Sequence, residues 1–354
     1  MFLINNSLYK EDLKYIGELE LPWEKLQNKS MLVSGATGMI GSLLIDAIQY
    51  KNQAGLNCTV YALGRNELKA KERFFYCWEE TNFQFIEHDI NMPLEQSGLN
   101  KVDYILHMAS NTHPVAYATD PIGTIQTNVM GTFYMLEFAV AHNTTRIAFV
   151  SSNEIYGENR GDTEKFSEEY CGYIDCNTMR AGYPESKRCG EALCQAFIAQ
   201  KNLDVVIPRV TRSYGPTLLM SDTKALSQFI KKGIAHEDIV LKSTGMQYYS
   251  YTYAADAVAG LLTVLLRGEK GEAYNISDEA SDIMLKDLAA IVADVCGTKV
   301  VFEIPDGIEA AGYSKATKAR LENKKIKKLG YHARFDIREG IERTITILNE
   351  MREC

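Results

Sequence analysis

Gly35-Ala36-Thr37-Gly38-Met39-Ile40-Gly41 follows a short apolar stretch and opens an apolar helical run over 40–48, and this order restricts the fold more than any other feature of the chain. Glycines at every third position of a strand-to-helix junction each answer a steric need. Gly35 permits the tight turn, Gly38 lets backbone amides approach a pyrophosphate, and Gly41 lets helix and sheet pack closely. The helix N-terminus adds partial positive charge where phosphates would lie. Gly35, Thr37, Gly38, Met39, Ile40 and Gly41 are therefore the candidate dinucleotide-binding turn.

The surrounding pattern agrees. Short β-branched and apolar runs at 31–34, 58–63, 83–87, 102–107, 146–151 and 204–210 alternate with stretches of helical period. Such alternation predicts an α/β fold with a doubly wound parallel sheet covered on both faces. Before it, 1–30 reads as an N-terminal helical extension, with Leu13, Ile16, Leu19 and Leu21 set among charged residues. The dinucleotide-binding domain is expected over 31–210. Beyond it the rhythm breaks at Gly215-Pro216, Gly233 and Gly245, so 211–354 reads as a smaller substrate-binding lobe interleaved with the first domain.

The second strand ends in Leu63-Gly64-Arg65-Asn66, without the acid that often meets the adenosine ribose of NAD. Arg65 can hold a 2′-phosphate, which would favour NADP, or stack on adenine, so NAD and NADP both stay open. After the third strand, Asp89-Ile90 is a candidate for the adenine edge.

Tyr183-Pro184-Glu185-Ser186-Lys187 sets a phenol and an amine four residues apart, on one helix face. A phenol with a pKa of about 10 is a poor base at neutral pH, and a neighbouring ammonium stabilises its phenolate. The pair can take a proton from a substrate hydroxyl as hydride leaves for the cofactor. Ser152 lies 31 residues upstream, at a strand end where such sheets face their ligand crevice, and can hydrogen-bond the reacting oxygen. Glu154 adds a carboxylate able to move a proton on an adjacent carbon.

With 46 acidic against 38 basic residues the net charge is -8, which argues against a nucleic-acid partner. The one basic cluster, Lys324-Lys325-Ile326-Lys327-Lys328, reads as a solvated helix face. The eight cysteines form no CxxC pair and no zinc-like cluster with histidine, so no metal is expected and a reducing, cytoplasmic setting is. No apolar run approaches the ~20 residues that span a bilayer.

Taken together these residues resemble the extended short-chain dehydrogenases, the NAD-dependent epimerase/dehydratase family, over about 30–348. Within it the likeness is greatest to the UDP-glucuronate decarboxylases. The resemblance is carried by His107-Met108-Ala109-Ser110, Asp120-Pro121-Ile122, Thr127-Asn128, Gly131-Thr132, Ser152-Asn153-Glu154-Ile155-Tyr156-Gly157, Arg180-Ala181-Gly182-Tyr183, Lys187-Arg188, Tyr253-Ala254-Ala255-Asp256-Ala257 and Lys327-Lys328-Leu329-Gly330-Tyr331. It implies a nucleotide-sugar substrate and a homodimer. It also implies cofactor contacts from Ala109, Ser110, Asn128, Tyr183 and Lys187, and substrate contacts from Ser110, Asn153, Arg180, Arg212 and Tyr249. Transient oxidation at the sugar C4 would set a ketone β to the C6 carboxylate, so that carbon dioxide departs and the hydride then returns.

Two positions depart from the family. Arg212 in Arg212-Ser213-Tyr214-Gly215-Pro216 stands where the family has a substrate-contacting asparagine, and Tyr249 stands where the decarboxylases have a diphosphate-binding arginine. Either the charge has moved to Arg212, or the substrate differs. A 4-epimerase usually lacks an acid at the position of Glu154, and a 4,6-dehydratase has an acid where this chain has Asn153. Both remain alternatives to decarboxylation. More remote are a dehydrogenase of a free alcohol and a non-enzymatic NAD(P) sensor.

Overall fold

The computed structural model describes residues 2–94, 99, 101–112, 117, 119–303 and 318–352. Its main sheet is wholly parallel. It comprises β1 (Ser30–Ser34), β2 (Thr59–Gly64), β3 (Phe83–Glu87), β4 (Tyr104–His107), β5 (Arg146–Phe149), β6 (Ser151–Ser152), β7 (Val205–Val210) and a last strand at Ala273–Ile276. Neighbours run β3-β2-β1-β4-β5-β7 and then Ala273–Ile276, with β6 also on β7. The order reverses between β1 and β4, so their carboxyl ends open a crevice at the topological switch point. The doubly wound sheet expected from the sequence is borne out, and its last strand comes from beyond residue 210.

Differences at element ends have local causes. The fourth strand was expected from 102 but pairs only from Tyr104, because Asp103 is engaged otherwise: its carboxylate accepts from Ser30 N at 3.0 Å and pairs with Lys101 Nζ at 2.7 Å. The run 146–151 is split at Val150, whose carbonyl accepts from Lys187 Nζ at 2.9 Å. In the N-terminal extension only α1 (Ser7–Gly17) is a full helix. Pro22 leads into a single 3-10 turn, Trp23–Lys25, before the chain enters the sheet.

A buried carboxylate fastens that extension. Asp46 lies on α2 (Met39–Gln53), accepts from Tyr9 of α1 and from Tyr76 at 2.7 Å, and pairs with Arg73 of α3 (Glu67–Arg73). Removing it strands a largely buried guanidinium. Asp46→Ala is expected to cost about 3–5 kcal/mol, read by urea unfolding; a loss under about 1 kcal/mol would be that of an exposed ion pair and contradict this role.

A second sheet forms from later segments, apart from β9 (Ile239–Leu241), which among the described residues pairs with Val300–Phe302 alone. Its central strand β10 (Tyr248–Tyr253) pairs with β8 (Arg212–Tyr214), Asp282–Met284 and Lys318–Ala319. The basic run forms the short helix Lys324–Lys327, where Lys324, Lys325 and Lys327 pair with Glu322, Glu272 and Glu279 while Ile326 is buried. Three of its four lysines are thus charge-paired at the surface. Seven cysteines are free thiols, and Cys354 lies outside the described residues. Among the described residues no helix is long and apolar enough to cross a membrane.

Candidate active site

The glycine turn connects β1 to α2 at the switch point. Gly35 holds a φ of +72°, and a Cβ there would lie 3.0 Å from the backbone nitrogen of Ala109. At Gly41 a Cβ would lie 2.4 Å from the Gly35 carbonyl oxygen. Only glycine fits either place. Gly38 caps α2 with no side-chain hydrogen bond, so the first-turn amides are left to an anion. The residues therefore fit a dinucleotide's pyrophosphate. Thr37, Met39 and Ile40 flank the opening half-buried, and the carbonyl of Met39 accepts from Thr217 at 2.8 Å.

Around this turn the expected residues differ in what they do. Arg65 is exposed just beyond β2. Asp89 accepts from the Asn91 amide at 3.0 Å and shapes its own turn, while Ile90 is buried against Gly131. Ser110 Oγ donates to Asn128 Oδ1 at 2.7 Å, Asn128 Nδ2 donates to Ser186 Oγ at 2.9 Å, and Ser186 Oγ donates to the Tyr183 carbonyl at 2.8 Å. This chain of bonds ties the loop after β4 to the first turn of the helix that begins at Gly182. Both ends of the Asn128 amide are engaged in it, so Asn128 holds the wall of the crevice.

A deeper relay was not foreseen from the sequence. Ser34 Oγ accepts from the amides of Met108 at 3.0 Å and Ala109 at 3.1 Å. Its own hydrogen is then directed to His107 Nδ1, 2.8 Å away. Nε2 must carry the ring proton, which it donates to Thr132 Oγ1 at 3.2 Å. Burial and the nearby Lys187 lower the His107 pKa to about 3, so the ring stays neutral and fixed. The available signal was a polar residue closing each of two adjacent apolar strands.

The helix Gly182–Lys201 carries Tyr183 and Lys187, both buried. Burial, and after it the charge of Glu154, hold the Tyr183 phenol above the ordinary tyrosine value, against the lowering influence of the nearby Ser152, Arg180 and Ser110. Burial likewise depresses Lys187, to about 8. Glu154 lies in a short 3-10 turn, Asn153–Tyr156, begun by Ser152, whose Oγ accepts its amide at 3.2 Å. Its carboxylate pairs with Arg180 Nη2 at 2.9 Å. Asn153 is buried beside it. Tyr117, also unforeseen, stacks on Tyr183 with centroids 4.8 Å apart, and Arg180 lies 4.9 Å from the Tyr117 ring. The structure thus brings Ser110, Ser152, Glu154, Arg180, Tyr183 and Lys187 into one cluster. Arg212 and Tyr249 form a separate pair, the guanidinium 3.8 Å from the ring centroid.

The depressed Lys187 pKa has a consequence for stability. Between pH about 8 and 10.5 the unfolded chain holds a proton on this lysine that the folded chain has released. Stability should therefore rise with pH across that window, and be penalised below it. Lys187→Met, an apolar chain of similar length, is expected to flatten this rise in the cofactor-free protein and to raise its melting temperature at pH 7. An unchanged slope would show that the lysine is not desolvated.

Residues 31–277 match the NAD dependent epimerase/dehydratase family. The chain is 28% identical over 320 residues to UDP-glucuronic acid decarboxylase 2 of Arabidopsis thaliana, covering 90% of this chain and 67% of that protein. It is 30% identical over 321 residues to UDP-glucuronic acid decarboxylase 5 of the same plant, covering 89% of this chain and 87% of the other. In fold it is similar to UDP-glucuronic acid 4-epimerase of Bacillus cereus, solved with UDP-glucuronic acid and NAD, with a TM-score of 0.76 at 22% identity over 91% of this chain and 99% of that one. The glycine turn, the serine-ended strand and the buried Tyr/Lys pair occupy one crevice within the matched stretch, and the chain belongs to the NAD dependent epimerase/dehydratase family.

Proposed function

We propose that the chain is a sugar-nucleotide decarboxylase that acts on UDP-glucuronate by transient oxidation at C4 with tightly held NAD. The observation that carries the reading is Glu154, a carboxylate beside Tyr183 that is held by Arg180. Removing hydride from C4 needs only the hydroxyl-binding groups, whereas chemistry at C5 needs a second proton-moving group. The relatives named UDP-glucuronic acid decarboxylase support the same reading.

Gly35, Gly38 and Gly41 with the uncapped start of α2 would hold the pyrophosphate of NAD. Bound NAD supplies the acceptor for the C4 hydride, a positive ring that favours the Tyr183 phenolate, and the hydride that is returned at the end. Tyr183 accepts the proton of the C4 hydroxyl, Ser152 orients that oxygen, and Lys187, anchored on Val150, stabilises the phenolate. A ketone at C4 then accepts the electron pair of the C5–C6 bond as carbon dioxide leaves. To Glu154 we assign the delivery to C5 of a proton drawn from solvent, the one that net loss of carbon dioxide consumes, while Tyr183 gives its own proton back to the C4 oxygen as the hydride returns. We assign the remaining cofactor contacts to Ala109, Ser110 and Arg65, and sugar contacts to Asn153 and Arg180. A cytoplasmic homodimer is part of the same proposal; exposed Ile122, Ile125 and Met130 on the helix Pro121–Ala141 give a second copy an apolar face to cover.

Incubation with UDP-glucuronate, following release of carbon dioxide and the pentose nucleotide, is the direct test. Failure to release it, together with turnover of an uncharged nucleotide sugar, would replace the decarboxylase reading with an epimerase.

A further inference from the structure

Resting on the nucleotide-sugar reading, we infer that Arg212, laid on the ring of Tyr249, is the cation that grips the substrate's diphosphate, and that the two residues act as a unit. The guanidinium lies 3.8 Å from the ring centroid of the buried Tyr249. Stacking at this distance fixes the plane of the fork. Arg212 Nη1 is buried without a hydrogen-bond partner, and Arg212 forms no ion pair among the described residues. A buried guanidinium nitrogen in that state is costly, and an anionic oxygen is what would relieve it.

The pair's place in the fold says where that oxygen comes from. Ser152 pairs with Val210, two residues before Arg212, so the arginine continues the strand beside the catalytic serine into the mouth of the crevice. On its other side β8 pairs with β10 in the register Arg212 to Tyr251, which puts Tyr249 on the same face two residues away. The sugar end of the crevice already holds a cation, Arg180, matched to Glu154. Arg212 is a second, unmatched cation on the opposite lobe. The anion common to nucleoside-diphosphate sugars, whatever their sugar, is the diphosphate, and two of its oxygens suit a planar pair of N–H donors. Arginine's cation and fork, supplied from β8, thereby provide a phosphate grip to a chain whose β10 offers only a tyrosine ring at 249.

The test is calorimetric titration of the cofactor-loaded protein with UDP alone, and then with UDP-glucose and UDP-glucuronate, in wild type, Arg212→Asn, Arg212→Lys and Tyr249→Leu, with melting temperature and bound-cofactor content confirming that each variant is folded. Arg212→Asn should weaken all three ligands by a similar factor, about 10- to 100-fold for a charged hydrogen-bonding group. Arg212→Lys should recover part of the loss, and Tyr249→Leu should show a smaller loss by freeing the guanidinium. Unchanged UDP affinity in Arg212→Asn overturns the inference while leaving the nucleotide-sugar reading intact. Weakening of UDP-glucuronate alone also overturns it, since Arg212 would then meet the sugar carboxylate. If the wild-type protein binds none of UDP, dTDP or GDP, both the reading and the inference fall.

Discussion

Tyr183→Phe should lower turnover by about 100- to 10,000-fold, the range expected when a proton-transfer group is lost from the reacting bond. The substitution removes one oxygen and leaves the ring, so the stack on Tyr117 at 4.8 Å survives and the fold is expected to hold. Ser110 keeps its bond to Asn128 at 2.7 Å, and Lys187 keeps its anchor on the Val150 carbonyl at 2.9 Å. What is lost is the phenol whose pKa Ser152 and Ser110 pull down. Burial and Glu154 keep that phenol protonated in the protein by itself, so it becomes a base only once positive charge is assembled around it. Turnover of the nucleotide sugar, bound-cofactor content and melting temperature are the measurements. Cofactor retained with turnover lost fits the assignment. Turnover within about tenfold of wild type would be too small an effect for the proton acceptor and would move that role to another group.

The parts of the site that sequence alone made legible are those in which a short spacing already dictates geometry. Gly35, Gly38 and Gly41 lie in one seven-residue turn, where a Cβ would collide with backbone at Gly41 and crowd it at the other two. Tyr183 and Lys187 lie four apart on one helix, so they share a face before any tertiary contact forms. Glu154 follows Ser152 by two residues and is held close to it by the serine's own hydroxyl. The illegible parts depend on chain segments far apart in sequence. His107 joins Ser34, 73 residues away, to Thr132, and only pairing of β1 with β4 creates that relay. Arg180 meets Glu154 across 26 residues, so its role as a counter-charge could not be read from its motif. Arg212 and Tyr249 were noticed singly as departures from a pattern, and only the parallel pairing of β8 with β10 shows them to be partners. Asn128 illustrates the converse: a polar residue in a recognisable motif, it is satisfied on both sides by Ser110 and Ser186.

Glu154→Gln separates oxidation at C4 from protonation at C5. Glutamine keeps the size of the side chain, and its carbonyl oxygen can still accept from Arg180, which pairs with the glutamate at 2.9 Å. It can no longer carry a proton. If Glu154 serves C5, the variant should still oxidise C4, and product formation should fall by about 100- to 10,000-fold. The block then lies after the first hydride transfer, so absorbance of reduced nicotinamide should appear on adding UDP-glucuronate and decay slowly. In Tyr183→Phe that signal should be absent, because the block comes earlier. Removing the negative charge also removes one of the influences that raise the Tyr183 pKa, so the first step in Glu154→Gln should, if anything, become easier at neutral pH. Formation of the pentose nucleotide at the wild-type rate by Glu154→Gln would exclude Glu154 from the proton step and leave it as the partner that fixes Arg180. Loss of the reduced-nicotinamide signal together with product would instead make Glu154 part of C4 oxidation, the behaviour expected if the carboxylate acts through Tyr183.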